Sequence, residues 1–94
     1  MNKRGTGRTF RAVLRCILAA SEGKVVLYVT NISEATLSAA KIGHRITENM
    51  HDVEHQLNSI TFPNGGKVFF TDKNWRKQQA IMGYRISFIE NDLF

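Results

Sequence analysis

Two glycines, a basic residue and two threonines stand together near the start of the sequence, in the segment Gly5-Thr6-Gly7-Arg8-Thr9. The apolar periodicity of the following residues predicts a helix, so this segment leads directly into a helix N-terminus. Unpaired backbone N–H groups and the helix dipole favour an anion there, and glycines let a backbone approach it closely. The segment therefore predicts a binding site for the phosphate groups of a nucleotide or a nucleic acid.

The same segment partly matches the P-loop pattern G-x-x-x-x-G-K-[ST], in which the lysine reaches the β- and γ-phosphates and the hydroxyl residue ligates Mg²⁺. Gly7 and Thr9 fit this pattern, whereas Asn2 stands in place of the first glycine and Arg8 in place of the lysine. Arginine keeps the charge but exchanges a compact ammonium for a wide planar group. We therefore predict ligand binding with weak or no hydrolysis.

Basic residues are concentrated ahead of the first acidic residue, Glu22, in a chain whose net charge is +5. This N-terminal group comprises Lys3, Arg4, Arg8, Arg11 and Arg15. Such a block favours a phosphate-bearing partner, and we predict that Arg4, Arg11 and Arg15 contact a nucleic-acid backbone. The alternative is a solvated helix face that keeps the protein soluble.

Helices and strands alternate along the chain. Helical spacing of apolar residues predicts helices from Thr9 to about Glu22, from about Ser33 to Met50, and over Trp75–Met82. Apolar and alternating runs predict strands at Val25–Val29, Ser59–Phe62, Lys67–Thr71 and Ile86–Ile89. Gly23 is expected to end the first helix, and Asn31 or Ser33 to cap the second. This order predicts an α/β fold in one domain, residues 1–94: a small mixed sheet with a β-hairpin and flanking helices.

The glycine segment, Ala20–Val29 and Phe62–Phe70 occur in the order in which small phage P-loop ATPases carry similar segments, and the chain resembles that family and the related terminase large-subunit ATPase core. The resemblance implies a phage-encoded, partial P-loop NTPase-like core that lacks the first strand. It also implies that Ile86–Ile89 is the Walker B strand, followed by Glu90 in place of the Mg²⁺-coordinating aspartate and Asn91 in place of the glutamate that activates water.

The cofactor implied by this resemblance is ATP or another nucleotide with Mg²⁺. Residues Gly5, Thr6, Gly7, Arg8 and Thr9 would bind the nucleotide. Thr9 and Glu90 would hold the metal, and Glu90 would be the catalytic residue of a nucleoside triphosphatase. Two alternatives stay open: an NTPase assembled from several chains, and a protein-interaction or inhibitor module built on the ATPase scaffold.

The composition limits which crosslinks, metal clusters and cellular locations we expect for the chain. Cys16 is the single cysteine, so neither an intramolecular disulfide nor a cysteine zinc cluster can form. No apolar run approaches the roughly 20 residues that cross a bilayer. We expect a cytoplasmic protein, in the host cytoplasm if phage-encoded, without membrane contact. Because a chain this short buries a modest core, a homo-oligomer or a host or phage protein partner would help its stability.

Two further patterns receive the simpler interpretation. His51-Asp52-Val53-Glu54-His55 matches the zinc-hydrolase spacing H-x-x-E-H, but we interpret this polar region as a solvated helix face. Trp75, with Arg76 and Lys77 beside it, could stack on a nucleobase, yet we expect it to pack in the core.

Overall fold

The computed structural model describes residues 6–92. Its helices are α1 (Thr6–Ser21), α2 (Ser33–Thr47) and α3 (Gln79–Met82), and a 3₁₀ turn covers Trp75–Lys77. Its strands are β1 (Val25–Thr30), β2 (Glu54–Gln56), β3 (Ser59–Thr61), β4 (Lys67–Asp72) and β5 (Phe88–Asp92). None of the helices in this part of the chain has the length and apolar character needed to span a membrane.

The strands form one mixed sheet in the order β2-β3-β4-β1-β5. β1 lies at its centre and pairs in parallel with both β4 and β5, with Tyr28 opposite Phe70 on one side and Glu90 on the other. The antiparallel pairs β2–β3 and β3–β4 extend the sheet on the β4 side. The run Val25–Val29 is continuously apolar because both faces of this central strand are covered, as is usual for parallel strands.

Alternate residues of the central strands enter two separate cores. Val26, Tyr28, Val68 and Phe70 pack beneath α1 and α2 in the main core. Leu27, Val29 and Phe69 face the opposite side, which the short α3 helix and the 3₁₀ turn cover through Ile81 and Trp75. The sheet therefore has two long helices on one face and only short helical segments on the other.

The C-terminal end of α1 is fixed to the amino-terminal ends of the parallel strands. Gly23, with φ +96°, ends the helix by donating its N–H to the Ala20 carbonyl at 2.9 Å. The Asn64 amide donates to the Ser21 carbonyl at 2.9 Å, which fastens the β3–β4 turn to the same place. Because α1 packs on the sheet and enters β1 through this tight turn, it runs antiparallel to β1, and its first turn lies toward the carboxyl ends of the parallel strands.

The predicted mixed α/β fold is confirmed, as are the hairpin of β3 and β4 and the glycine stop at Gly23. The predicted caps for α2 were wrong, because Ile32 occupies the N-cap position and makes no side-chain capping bond. The predicted third helix is divided into a 3₁₀ turn and α3. Strand β5 begins at Phe88, two residues later than expected, so Glu90 lies inside the strand and not after it.

The region of His51 and His55 also differs from the prediction. α2 ends at Thr47, and the unpredicted strand β2 covers Glu54–Gln56, so His51 and His55 do not lie on a helix. Residues 51 and 52 form a turn, in which Asp52 has φ 62°. The helical spacing that H-x-x-E-H requires is therefore absent here.

Candidate phosphate site at the first turn of α1

The glycine-rich segment forms the start of α1. The helix begins at Thr6, so Gly7, Arg8 and Thr9 belong to its first turn. The prediction that this segment forms a loop ahead of the helix was wrong for these three residues. The first four N–H groups of any α-helix have no acceptor within the helix. This turn carries no acidic residue, so no carboxylate within it competes with an incoming anion.

Arg11 lies beside Gly7. The two residues are one helical turn apart, and the Arg11 Nη2 atom is 4.0 Å from the position that a Cβ on Gly7 would occupy. Among the described residues, no carboxylate forms an ion pair with Arg11. Two predicted site residues, Gly7 and Arg11, thus lie together, and the Arg11 guanidinium is next to the Gly7 backbone.

Arg15 has a different environment. Its guanidinium binds the Glu90 carboxylate through both oxygens, with Nη2–Oε2 at 2.6 Å and Nε–Oε1 at 3.3 Å. Glu90 is the more buried partner, with 19% of its side chain exposed against 58% for Arg15. The hydrogen bond and the charge of Glu90 raise the pKa of Arg15 above its ordinary value. Arg15, predicted to bind nucleic acid, and Glu90, predicted to bind metal, are therefore partners of each other.

The Arg15–Glu90 ion pair affects whether the predicted ligands could bind magnesium. The predicted ligands are the Thr9 hydroxyl and the Glu90 carboxylate. Both Glu90 oxygens already accept hydrogen bonds from Arg15, while Thr9 lies six residues, about 9 Å of helix rise, before Arg15. Magnesium requires near-octahedral oxygen ligation. A donor set with one engaged carboxylate is a poor fit to that ion, and in the described part of the chain no cluster of three or more His, Cys, Asp or Glu side chains could hold a metal.

Cys16 follows Arg15 on α1 and is fully buried in the main core, as predicted. Burial raises the pKa of its thiol from 9.0 to about 12, and the Glu90 charge adds to this shift. The thiol is therefore protonated at neutral pH and packs as a small apolar group.

The other singled-out residues lie away from this turn. The Thr47 hydroxyl is 2.7 Å from His55 Nε2, and the His44 and His55 rings meet edge to face at 5.2 Å. Trp75 packs against the second core, as expected, with the Arg76 guanidinium 4.9 Å from its ring centroid.

The sequence predicted a glycine segment next to the start of a helix, but it put that segment ahead of the helix and not within its first turn, and it missed the Arg15–Glu90 pair. These residues are 75 positions apart, and only the parallel pairing of β5 with β1 brings Glu90 beneath α1. The predicted site residues Arg4 and Gly5 lie outside the described residues, and of Thr6 only the backbone is described. No family model, curated protein or solved structure matches the chain.

Proposed function

We propose that the chain binds phosphate groups of a nucleotide or a nucleic acid at the first turn of α1, with weak or no hydrolysis. Backbone amides of Gly7, Arg8 and Thr9 would meet the phosphate oxygens, and Arg11 would add positive charge from one turn further along the helix. Arg4 and Gly5, which precede this turn in the sequence and lie outside the described residues, stay proposed contacts on sequence grounds. The scaffold would be a degenerate relative of phage P-loop ATPases, in keeping with the order of segments in the sequence.

The observation that carries the proposal is that neither backbone conformation nor packing among residues 6–92 requires glycine at position 7. Gly7 has no positive φ, and among these residues a Cβ there would meet nothing closer than the flexible Arg11 side chain at 4.0 Å. Glycine inside a helix costs roughly 0.5–1 kcal/mol relative to alanine. A ligand that approaches the backbone at this point gives a reason for glycine that neither packing nor backbone conformation supplies.

Two features support binding without efficient turnover. Glu90, the acid that would hold the metal, is neutralised by Arg15, and the following Asn91 has no basic group to activate a water molecule. A phosphate at the first turn of α1 would still be stabilised by amides and guanidinium groups, which require neither a metal nor a base.

The decisive experiment is Gly7→Ala. Without ligand, the variant should be at least as stable as the wild type, by up to about 0.5–1 kcal/mol, the cost of glycine in a helix interior, because alanine favours the helix and meets no clash among residues 6–92. Stabilisation by ATP, measured as a thermal shift, should be lost because the new methyl group keeps phosphate from the backbone. At a ligand concentration of about 100 Kd, the wild type should gain about 2.7 kcal/mol.

Ser38→Ala is the matched control, since it also raises helix propensity, on an exposed position of α2, and should leave the ligand response intact. Arg8→Ala should likewise abolish the thermal shift, whereas Arg85→Ala, at an exposed loop position, should not. Gly7→Ala with an unchanged ligand response would refute the proposed site.

The ligand class and the chemistry need separate measurements. Binding to a nucleic-acid backbone should weaken steeply as salt is raised, in proportion to the phosphates neutralised, whereas a mononucleotide should show a shallower slope. Magnesium-dependent release of phosphate from ATP should be at background level. Release that is lost in Thr9→Ala would instead support an active NTPase.

A further inference from the structure

An open groove lies between α1 and α2, apart from the first-turn amides. Its volume is about 590 Å³, and it is lined by Phe10, Lys41, Ile42, Arg45 and Ile46. This volume is within the range of roughly 300–1,000 Å³ that ligand sites occupy. The walls are mainly apolar, so the groove is a place where a partner could bury apolar surface.

The groove owes its form to two rows of side chains on α2. Ile42 and Ile46, one turn apart, lean toward α1 and pack against the main core while remaining partly exposed. Phe10 faces them from α1, with 45% of its surface exposed. Lys41 and Arg45, also one turn apart, form the next row. Both are exposed and also line the groove, and we call this pair the ridge.

The ridge gives one side of the groove a positive charge. Lys41 and Arg45 are exposed, and among residues 6–92 neither has a carboxylate within ion-pair distance. Glu48 and the two neighbouring histidines, His44 and His55, line a separate depression that borders the same ridge. An occupant of the apolar groove therefore passes two cations, one helical turn apart, that have no carboxylate partner in the described part of the chain.

We propose that this groove docks an acidic amphipathic helix from a protein partner. Leucine-like side chains of that helix would fill the space among Phe10, Ile42 and Ile46, and its carboxylates would pair with Lys41 and Arg45. The aliphatic walls favour a peptide over single-stranded nucleic acid, because bases are held by stacking and, of the described residues that line the groove, Phe10 alone is aromatic. This docking does not depend on phosphate binding at Gly7.

The test uses a fluorescein-labelled synthetic peptide with leucines at helical i, i+3, i+4 and i+7 positions and glutamates between them. A scrambled peptide of the same composition is its control. Anisotropy should show binding of the amphipathic peptide alone, and NMR shift changes should centre on Phe10 and residues 41–46. The double variant Lys41→Glu/Arg45→Glu should weaken binding on the order of ten-fold or more.

Phe10→Ala should weaken the same interaction on the order of ten-fold, since an apolar anchor is removed. Lys73→Glu/Lys77→Glu changes the net charge equally at exposed positions on another part of the surface and should alter affinity by less than about two-fold. A lysine-substituted version of the peptide should bind the Lys41→Glu/Arg45→Glu variant better than the wild type, which shows that the variant is folded.

Equal binding of the scrambled peptide, or no binding of the amphipathic one, would overturn the proposal. An oligo-dT strand that binds and is lost in Lys41→Glu/Arg45→Glu, without peptide binding, would assign the groove to nucleic acid instead. Neither result would affect the Gly7→Ala experiment.

Discussion

Gly66 occupies the closest approach between the β3–β4 turn and α1, and replacing it with alanine tests how this junction is held. A Cβ on Gly66 would lie 1.7 Å from the Ala20 carbonyl oxygen and 2.6 Å from the carbonyl carbon. These are backbone atoms of the last turn of α1, so no side-chain rotation relieves the overlap. The turn or the helix end must move.

Movement would disrupt a compact set of hydrogen bonds. Three hydrogen bonds meet at this junction. The Asn64 side-chain amide donates to the Ser21 carbonyl. The Lys67 N–H donates to the Lys24 carbonyl at 3.0 Å, and the Phe62 N–H donates to the Gly66 carbonyl at 2.7 Å. Overpacking costs about 1–3 kcal/mol even where side chains can yield. With backbone on one side of the overlap, we expect Gly66→Ala to cost about 3 kcal/mol or more.

For a domain of this size, that loss lowers Tm by roughly 12–24 °C, at about 4–8 °C per kcal/mol. Circular dichroism melting and urea unfolding would measure it. Gly65→Ala is the matched control: Gly65 has φ +94°, but no atom of the described residues lies within 4 Å of its Cβ position, so the substitution should cost only about 1–2 kcal/mol of backbone strain. If Gly66→Ala destabilises no more than Gly65→Ala, the close packing of this junction is refuted.

Three further predictions concern the core. Gly43→Ala should cost about 1–3 kcal/mol in urea unfolding, because its Cβ would lie 2.8 Å from Cζ of Phe70, whereas a neutral result would show that the ring can move aside. Thr30→Val should cost about 1 kcal/mol by removing the 2.6 Å bond to the Thr36 hydroxyl, and a double-mutant cycle with Thr36→Val should show coupling between the two. Because burial raises the pKa of Cys16 from 9.0 to about 12, the unfolded chain ionises first. The stabilisation from this shift, complete below pH 9.0, should therefore fall as pH rises toward about 12, and urea unfolding of Cys16→Ala should lack that component.

Local chemistry made most of the fold predictable. The continuous run Val25–Val29 identified the central strand, and Gly23 identified the helix stop, since each signal is contained within a few neighbouring residues. Strand β2 was missed because its three residues, Glu54–Gln56, are all exposed and carry no apolar alternation. Pairing with β3 makes it a strand, and a pairing partner cannot be read from so short a segment.

The candidate site could be predicted only where it depends on neighbours in sequence. The prediction put the glycine segment next to a helix start, and because the helix in fact begins at Thr6, helical spacing brings Arg11 beside Gly7. The partner of Glu90 depends on sheet order, which places β5 next to β1 and beneath α1. The groove was not predicted, because it exists only where Phe10 of α1 faces Ile42 and Ile46 of α2.

The proposed binding of a ligand at Gly7 should raise the free energy of unfolding of the whole domain and not only that of the first turn of α1. α1 is held at its C-terminal end by the Gly66 junction and at its middle by Glu90, and its apolar face, including Val13, Ile17 and Ala20, is part of the main core. Separating such a helix from the sheet exposes that core, so its first turn cannot remain formed once the domain unfolds. A phosphate that requires the helical arrangement of amides at Gly7 therefore binds the native state alone, and mass action then raises the free energy of global unfolding.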